Sequence, residues 1–408
     1  MRCCGKTHDG SRCVRMVCGK RKKCWQHGGK RKNIEKSKHS TKGSPKKDSQ
    51  KMYSKEYHKW KISESILTDL VGELCEAYGN PGCRYEIRNI LERFMMAVSQ
   101  DHGDKIDRGS LDKMIEEFYE KRHRFSLERQ EIDRKQIAKI LDKYLIRHWK
   151  RRGEYKSRPV PKSIEFYPEG LRFDDDVSLR IGFRNLNILK QGIKDGKWSP
   201  TDVMLMVLRY KSHLIGGQQW GIPHAVYQDL YEKWGARYEA FASPLNSRMI
   251  GMKGAQFCSL FPDVDKIFGS LGNIFDVDMT NPLNLEEKPD RVVWVVNPPF
   301  VESIMEKIMD KTVEALKRAD DQEMVVFVVL PSWKDSGAHK IIMDNTWFLR
   351  DAYTLDKNEH YFEGDDKIIA RFKTDVFVMD TMIKKWEKEE GMSGETNHYD
   401  EAFDKFRV

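Results

Sequence analysis

No stretch of this 408-residue chain reaches the roughly 18 consecutive apolar residues that a membrane-crossing helix requires. The N-terminus is basic and lacks an apolar segment, so it does not read as a secretory signal. These absences lead to the expectation of a soluble, intracellular protein of nucleus or cytoplasm, with no membrane partner. Cysteine is scarce outside one short stretch. Of eight, Cys3, Cys4, Cys13, Cys18 and Cys24 crowd the first 24 residues, and only Cys75, Cys83 and Cys258 lie beyond. In a reducing compartment such a cluster reads as a metal site before a disulfide framework.

Charge of one sign is also confined. Residues 1–61 hold 20 Lys and Arg against 4 Asp and Glu, a local balance of +16 in a chain whose net charge is +9, so the remainder is acidic. A basic arm on an acidic body points to a polyanion partner such as RNA or DNA. A solubilising or nuclear-localising tail is the plainer reading.

Within the arm, the spacing Cys3-x9-Cys13-x10-Cys24-x2-His27 supplies four zinc ligands. Cys24 and His27 are close enough in sequence to reach one tetrahedral ion together. The pattern resembles short Cys3His modules at the ends of large-DNA-virus proteins. On that register Cys3 is the ligand rather than Cys4, and Cys18 is spare. Four protein ligands close the site, so the zinc expected over 1–33 is structural.

Residues 34–60 are rich in Lys and Ser and read as a flexible linker. Residues 61–215 read as a helical domain, with Ile62, Ile66, Leu67, Leu70, Val71 and Leu74 at helical spacing. A charged helix is expected from Leu127 to Trp149, ending in Arg147-His148-Trp149-Lys150-Arg151-Arg152. Basic residues around a tryptophan can hold RNA phosphates and a base, or be a solvated helix end with one core tryptophan. Pro159, Pro161 and Pro168 mark a loop. From about 216 to 385 the pattern becomes strand, helix, strand. Strands are expected at Arg237–Ala242, Gln256–Phe261, Arg291–Val296, Met324–Leu330 and Asp375–Met379, which implies a doubly wound α/β sheet. Residues 386–408 read as a tail.

The sharpest signal is Asn297-Pro298-Pro299-Phe300 directly after the apolar run Val292–Val296. The prolines fix φ and remove N–H donors, which leaves a stiff turn that presents carbonyls. Asn297 Oδ1 and the Pro298 carbonyl can accept both N–H groups of an amine conjugated to a π system. That draws the nitrogen toward tetrahedral geometry and frees its lone pair for methylation. Phe300 can stack on the base that carries the amine. The plainer reading is a turn closing a buried strand, with Phe300 in the core.

Further motifs lie in a fixed order with this turn: Gln219-Trp220-x-Ile222-Pro223, Phe241-Ala242-Ser243-Pro244-Leu245-Asn246, Phe261-Pro262-Asp263-x-Asp265, Phe268-Gly269-Ser270 and Pro331-Ser332-Trp333. Over roughly residues 60–385 the chain resembles the cap-specific adenosine N6-methyltransferase family, also called phosphorylated-CTD-interacting factor. The resemblance implies a helical domain packed on a Rossmann-like domain that uses S-adenosylmethionine. It implies methyl transfer to N6 of the first transcribed adenosine beside an m7G cap, so the expected partner is m7G-capped RNA beginning with adenosine. It assigns Asn297 to Phe300 to the adenine, and Phe241, Ser243, Pro244, Leu245, Asn246, Asp263, Phe268, Gly269 and Ser270 to the cofactor. The cofactor loop has no G-x-G pattern. The paired tryptophans and proline of a WW domain are missing, which argues against binding to the RNA polymerase II tail and suggests a viral or divergent member.

Three other readings use parts of the same pattern. An adenine N6-methyltransferase acting on DNA or internal RNA needs the same turn. A glutamine N5-methyltransferase also uses Asn-Pro-Pro-aromatic, but needs no basic arm. An RNA-binding factor without catalysis has no need of an intact Asn297 and Phe300. For the cap itself, Trp149, Trp220 and Trp333 are the candidate stacking surfaces.

Overall fold

A computed structural model describes residues 38–40, 47–102, 106–126, 132–173, 177–213, 220–319, 321–364, 367–382 and 403–408. The candidate zinc ligands Cys3, Cys13, Cys24 and His27 lie outside these residues. Among the described residues no group of side chains could hold a metal ion, and no helix is long and apolar enough to cross a membrane.

Strand β1 (Lys38–Ser40) precedes helix α1 (Lys47–Ala77). The expected linker is therefore helical from Lys47 onward. Its lysines and serines surround a buried stripe that includes Tyr53, Trp60, Leu67, Leu70 and Leu74. Burial of that stripe outweighs the polar composition. Helices α2 (Arg84–His102), α3 (Arg108–Glu120), α4 (Arg122–Phe125) and α5 (Arg134–Leu141) follow. Asp107 and Asp133 cap α3 and α5 by accepting from Ser110 N and Gln136 N at 2.9 and 2.7 Å. These helices share one core built on Leu74, Leu91, Phe118 and Leu141. After α5 the chain widens into a π-helical turn, Asp142–His148, then tightens into a 3₁₀ turn, Trp149–Gly153. Trp149 is only 6% exposed and lies under the Arg152 guanidinium at 3.7 Å. It is a core residue, and neither a base nor a cap can stack on its ring.

The proline-marked loop is instead a small sheet. Strands β2 (Ser163–Tyr167), β3 (Gly170–Phe173) and β4 (Val177–Arg180) pair antiparallel in the order β1-β2-β3-β4. Pro159 and Pro161 precede β2 and Pro168 sits in the β2–β3 turn, so no ladder loses a donor. Helices α6 (Phe183–Lys194) and α7 (Pro200–Ser212) close this layer. Their core includes Phe257, Phe261, Phe268 and Ile304 from farther along the chain. The core therefore runs across the boundary expected near 215.

The larger sheet follows helix α8 (His224–Lys233). In chain order come β5 (Tyr238–Ala242), β6 (Gln256–Ser259), α9 (Pro262–Asp265), β7 (Arg291–Val296), α10 (Glu302–Arg318), β8 (Glu323–Pro331), α11 (Gly337–Met343), β9 (Leu349–Leu355), the hairpin β10 (Tyr361–Glu363) and β11 (Lys367–Ile369), and β12 (Thr374–Asp380). Six strands form one sheet in the order β6-β5-β7-β8-β12-β9. The pairs β5/β6, β5/β7 and β7/β8 are parallel, whereas β12 runs antiparallel to both β8 and β9. The sheet is mixed, with one strand, β12, reversed between two neighbours.

Strands β7 and β8 read as unbroken apolar runs because both faces are covered. Val292, Trp294 and Val296 face α10 and α11, together with Met324, Val326 and Val328. Val293, Val295, Val325, Phe327 and Val329 face α8. Phe403 and Phe406, expected in a tail, are buried in that second layer.

Candidate functional site

The chain leaves β5 for β6 on one side and later enters β7 on the other. In such a sheet a crevice opens where the order reverses, outside the carboxyl ends of the strands. A hollow of about 860 Å³, counted with its open mouth, lies there. Phe241 lines it from the end of β5, Ser243 and Asn246 just after that strand, Ser259 and Leu260 at the end of β6, and Asn297 to Phe300 after β7. Met96 of α2, Tyr210 of α7, Trp220 and Phe362 complete the wall.

Asn297 is the first residue past β7. Its Oδ1 is buried, and no described residue donates to it. A buried acceptor without a partner costs roughly 1–3 kcal/mol, so its position in the wall of an open hollow suits a ligand that brings the donor. The turn behind it is fixed by the two prolines and by Val301 N, which donates to the Pro299 carbonyl at 2.7 Å. Phe300 meets Phe362 and Phe372 edge to face, with centroids 5.8 and 5.6 Å apart and interplanar angles of 78° and 87°. These contacts hold its ring at a set angle.

The loop after β5 is shaped from within. Asn246 Oδ1 accepts from Ser243 N at 2.7 Å and Ser243 Oγ at 2.9 Å, and Leu245 N donates to Ser243 Oγ at 3.1 Å. Glu239 anchors the far side: its Oε2 accepts from Ser247 Oγ, Arg248 N and Met249 N at 2.8, 3.0 and 3.3 Å. Burial pushes the Glu239 pKa up, and these donors oppose it. Helix α6 clamps the same loop. Asn185 Nδ2 donates to the Pro244 and Ser247 carbonyls at 3.0 and 3.2 Å. Arg184 donates to the Ser247 and Arg248 carbonyls at 3.0 and 3.1 Å, and burial followed by the nearby Arg248 charge lowers its pKa to about 10.

Seven of the residues named from sequence thus meet at one hollow: Phe241, Ser243, Asn246, Asn297, Pro298, Pro299 and Phe300. The others lie around it. Pro244 gives its carbonyl to Asn185, and Leu245 packs in the layer of α6 and α7. Asp263 is turned outward in a bidentate pair with Arg209, 2.8 Å at each contact. Phe268 packs on Trp198 with centroids 5.1 Å apart, and Gly269 takes φ 100°, a left-handed conformation that glycine adopts readily. Ser270 Oγ lies 2.6 Å from Ser259 Oγ, one shell behind the wall.

Asp265, the motif's other acid, is the one close to the hollow. Its Oδ2 accepts from Tyr210 Oη at 2.6 Å, and Tyr210 lines the wall. Burial raises the Asp265 carboxyl to about 7 despite hydrogen bonds from Tyr210 and Ser259. Met96 and Tyr210 reach the site from helices far away in sequence, where no local pattern marks them.

A second hollow continues on the other side of Phe300. It is lined by Arg93, Phe94, Lys113, Lys121, Glu302 and Trp333, among others. Of the three tryptophans considered for the cap, Trp220 is at the mouth of the first hollow and Trp333 in the second, each 37% exposed.

Fold and site together define an open, parallel-rich α/β sheet with a ligand hollow at its switch point. Residues 188–365 match the family model described as phosphorylated CTD interacting factor 1 WW domain. The description names a WW domain, whereas the matched residues here run from within α6 to just past β10. Among curated proteins, the mRNA (2'-O-methyladenosine-N(6)-)-methyltransferase of Mus musculus is 29% identical over 156 residues, 38% of this chain and 20% of the relative. The Homo sapiens protein of the same name is 28% identical over 156 residues, with the same shares. The chain therefore spans about a fifth of the length of the curated relatives it matches.

Proposed function

We propose that this protein is a methyltransferase that uses S-adenosylmethionine and acts on N6 of the first transcribed, 2′-O-methylated adenosine beside an m7G cap. The observation that carries the reading is the buried, unpartnered Asn297 Oδ1 beside Phe300, at the carboxyl end of β7. The names of the two relatives supply N6 of 2′-O-methyladenosine in mRNA, and the motif resemblance supplies the cap.

The lining fits the cofactor. Phe241, Leu260 and Ile274 are apolar walls for an adenine, and the Ser259 hydroxyl and Asn273 amide are polar edges within reach of a ribose. S-adenosylmethionine supplies, when bound, the methyl group from its sulfonium. Asn297 Oδ1 accepts one N–H of the target amine and the Pro298 carbonyl accepts the other, so the nitrogen lone pair is released from the ring. Phe300 stacks on the base and Ile304 and Phe362 keep water from its edge. When the new N–C bond has formed, the amine carries a positive charge and loses a proton readily. The described lining has no carboxylate or imidazole, so that proton goes to water. The cap belongs in the second hollow, where Trp333 offers an aromatic surface and Lys113 offers positive charge to the phosphates, with Arg93 and Lys121 both paired to Glu117 beside it. Structural zinc on Cys3, Cys13, Cys24 and His27 remains part of the proposal on spacing alone.

Labelled methyl transfer to short RNAs tests this. Incorporation into m7G-capped RNA beginning with A, and not into uncapped RNA, cap-G RNA or duplex DNA, supports the proposal. Equal labelling of uncapped RNA or DNA removes cap recognition and keeps the amine chemistry.

A further inference from the structure

Trp220 stands at the mouth of the methyl-transfer hollow, more than a third exposed, and the chemistry above gives it no part. Its position is set by the hairpin of β10 and β11. Gly221 N donates to the Glu363 carbonyl at 2.8 Å, and Glu363 N donates to the Gly221 carbonyl at 2.9 Å. Arg248 Nη2 donates to the same Glu363 carbonyl at 2.8 Å, and His224 N donates to the Glu363 carboxylate at 3.0 Å. The backbone that follows Trp220 is therefore fixed. The indole itself rests on Gly364, where a Cβ would come within 3.1 Å of Trp220 Cδ1 and 3.2 Å of Ile368 Cδ1. A larger residue there would push the ring off its seat. A large aromatic ring seated before a ligand arrives, and left open at a ligand hollow, loses little entropy when something stacks on it.

The route of the RNA through the site assigns the occupant. The target nucleotide carries the cap triphosphate on its 5′ oxygen and the next nucleotide on its 3′ oxygen, so the two neighbours leave on opposite sides of its ribose. Phe300, which stacks on the target base, lines both hollows. With the cap in the second hollow beside Trp333, the 3′ neighbour stays on the side of the first. That hollow has two halves. The cofactor walls Phe241, Leu260 and Ile274 come from β5, the end of β6 and the chain that follows it. Trp220 is on the hairpin side, where Phe362, paired across the hairpin with Ile368, meets Phe300. The ring therefore borders the half that takes the target base and not the half that takes the cofactor. We infer that Trp220 is the stacking surface for the base of the nucleotide that follows the target adenosine. Every base has a π face, so this contact holds the RNA without reading its sequence. The inference rests on the RNA substrate proposed above.

The test measures binding of short capped ligands to the full-length protein with S-adenosylhomocysteine present, so that affinity is read without methyl transfer. The ligands are the cap dinucleotide m7GpppAm, the same cap extended by one guanosine nucleotide, and the same extension with an abasic ribose, which keeps the added phosphate and removes the base. One base stacked on an aromatic ring corresponds to about 5- to 150-fold in affinity. The wild type is expected to bind the guanosine ligand more tightly than the abasic one by a factor in that range. W220A is expected to bind the two alike, and W220F, which keeps an aromatic ring in the seat, is expected to retain most of the difference. A wild type that does not distinguish the two ligands, or a W220A protein that distinguishes them as the wild type does, would overturn the inference. A loss in W220A that is as large for m7GpppAm alone would also overturn it and assign the ring to the cap. In each of these cases capped RNA still binds, so the proposed substrate stands and this inference alone falls. A wild type that binds none of the capped ligands removes the substrate and this inference together.

Discussion

Asn297→Ala separates a chemical role from a structural one, because the two roles predict opposite effects on stability. If Asn297 were a turn residue held by the protein, its removal would break hydrogen bonds and lower the melting temperature. Its Oδ1 is instead buried without a donor among the described residues. Removing an unsatisfied buried acceptor relieves roughly 1–3 kcal/mol, against which stand a small cavity and lost contacts of about 1 kcal/mol. The net change in stability should lie within about 1 kcal/mol of zero or be favourable. The effect on catalysis should be large. Loss of one preorganised hydrogen-bonding group aimed at the reacting atom typically lowers kcat by about 10²–10³, or 2.7–4 kcal/mol. Asn297→Asp keeps an acceptor at the same place, so it should retain more activity than the alanine variant. The assays are single-turnover methyl transfer on capped RNA and thermal unfolding of the same preparations. Wild-type transfer by Asn297→Ala, or a melting temperature lowered by several degrees, would refute the reasoning.

Phe300→Ala should raise KM for RNA more than it lowers kcat, by roughly 1–3 kcal/mol in kcat/KM, since stacking binds the base before and during transfer; steady-state kinetics checks the split. Asp265 gives a pH signature. Its folded-state carboxyl is raised from 3.8 to about 7 by burial, so its contribution to stability is fully present below pH 4 and is lost as pH rises through 7. The interval corresponds to at most about 4 kcal/mol. Asp265→Asn should flatten the urea midpoint measured between pH 4 and 8, and an unchanged pH profile would exclude this carboxyl as its source. For the N-terminal module, the purified chain should carry one zinc per molecule by elemental analysis, and Cys24→Ala should lose it.

The parts of the fold legible in the sequence are those where one local cause dominates. Strands β7 and β8 sit between two helical layers, so after their first residues, Arg291 and Glu323, every side chain is apolar, and a run such as Val292–Val296 can hardly be read otherwise. The turn after β7 was legible because two prolines leave few conformations. Strand β9 was missed because its residues alternate with Arg350, Asp351 and Thr354 at the sheet's edge. Strands β2 to β4 were hidden by the prolines that flank them. The first turns of α1 looked like a linker because only the spacing of Tyr53, Tyr57 and Trp60 signals burial among many lysines. In the site, the motif residues at strand ends were found, and Asp265 was passed over for Asp263, two positions away in the same motif. Only the fold shows that one carboxylate points to solvent and Arg209 while the other lies behind Tyr210. Met96 and Tyr210 carry no local signal, since tertiary packing alone brings them to the wall.

The most direct test of the central claim is nucleoside mass spectrometry of the 5′ nucleotide after reaction with S-adenosylmethionine and m7G-capped RNA beginning with 2′-O-methyladenosine. The account predicts N6,2′-O-dimethyladenosine at that position and unmodified adenosine elsewhere. A methyl group on a ring nitrogen or at internal adenosines, or no methyl group in RNA with an intact cofactor hollow, would contradict it.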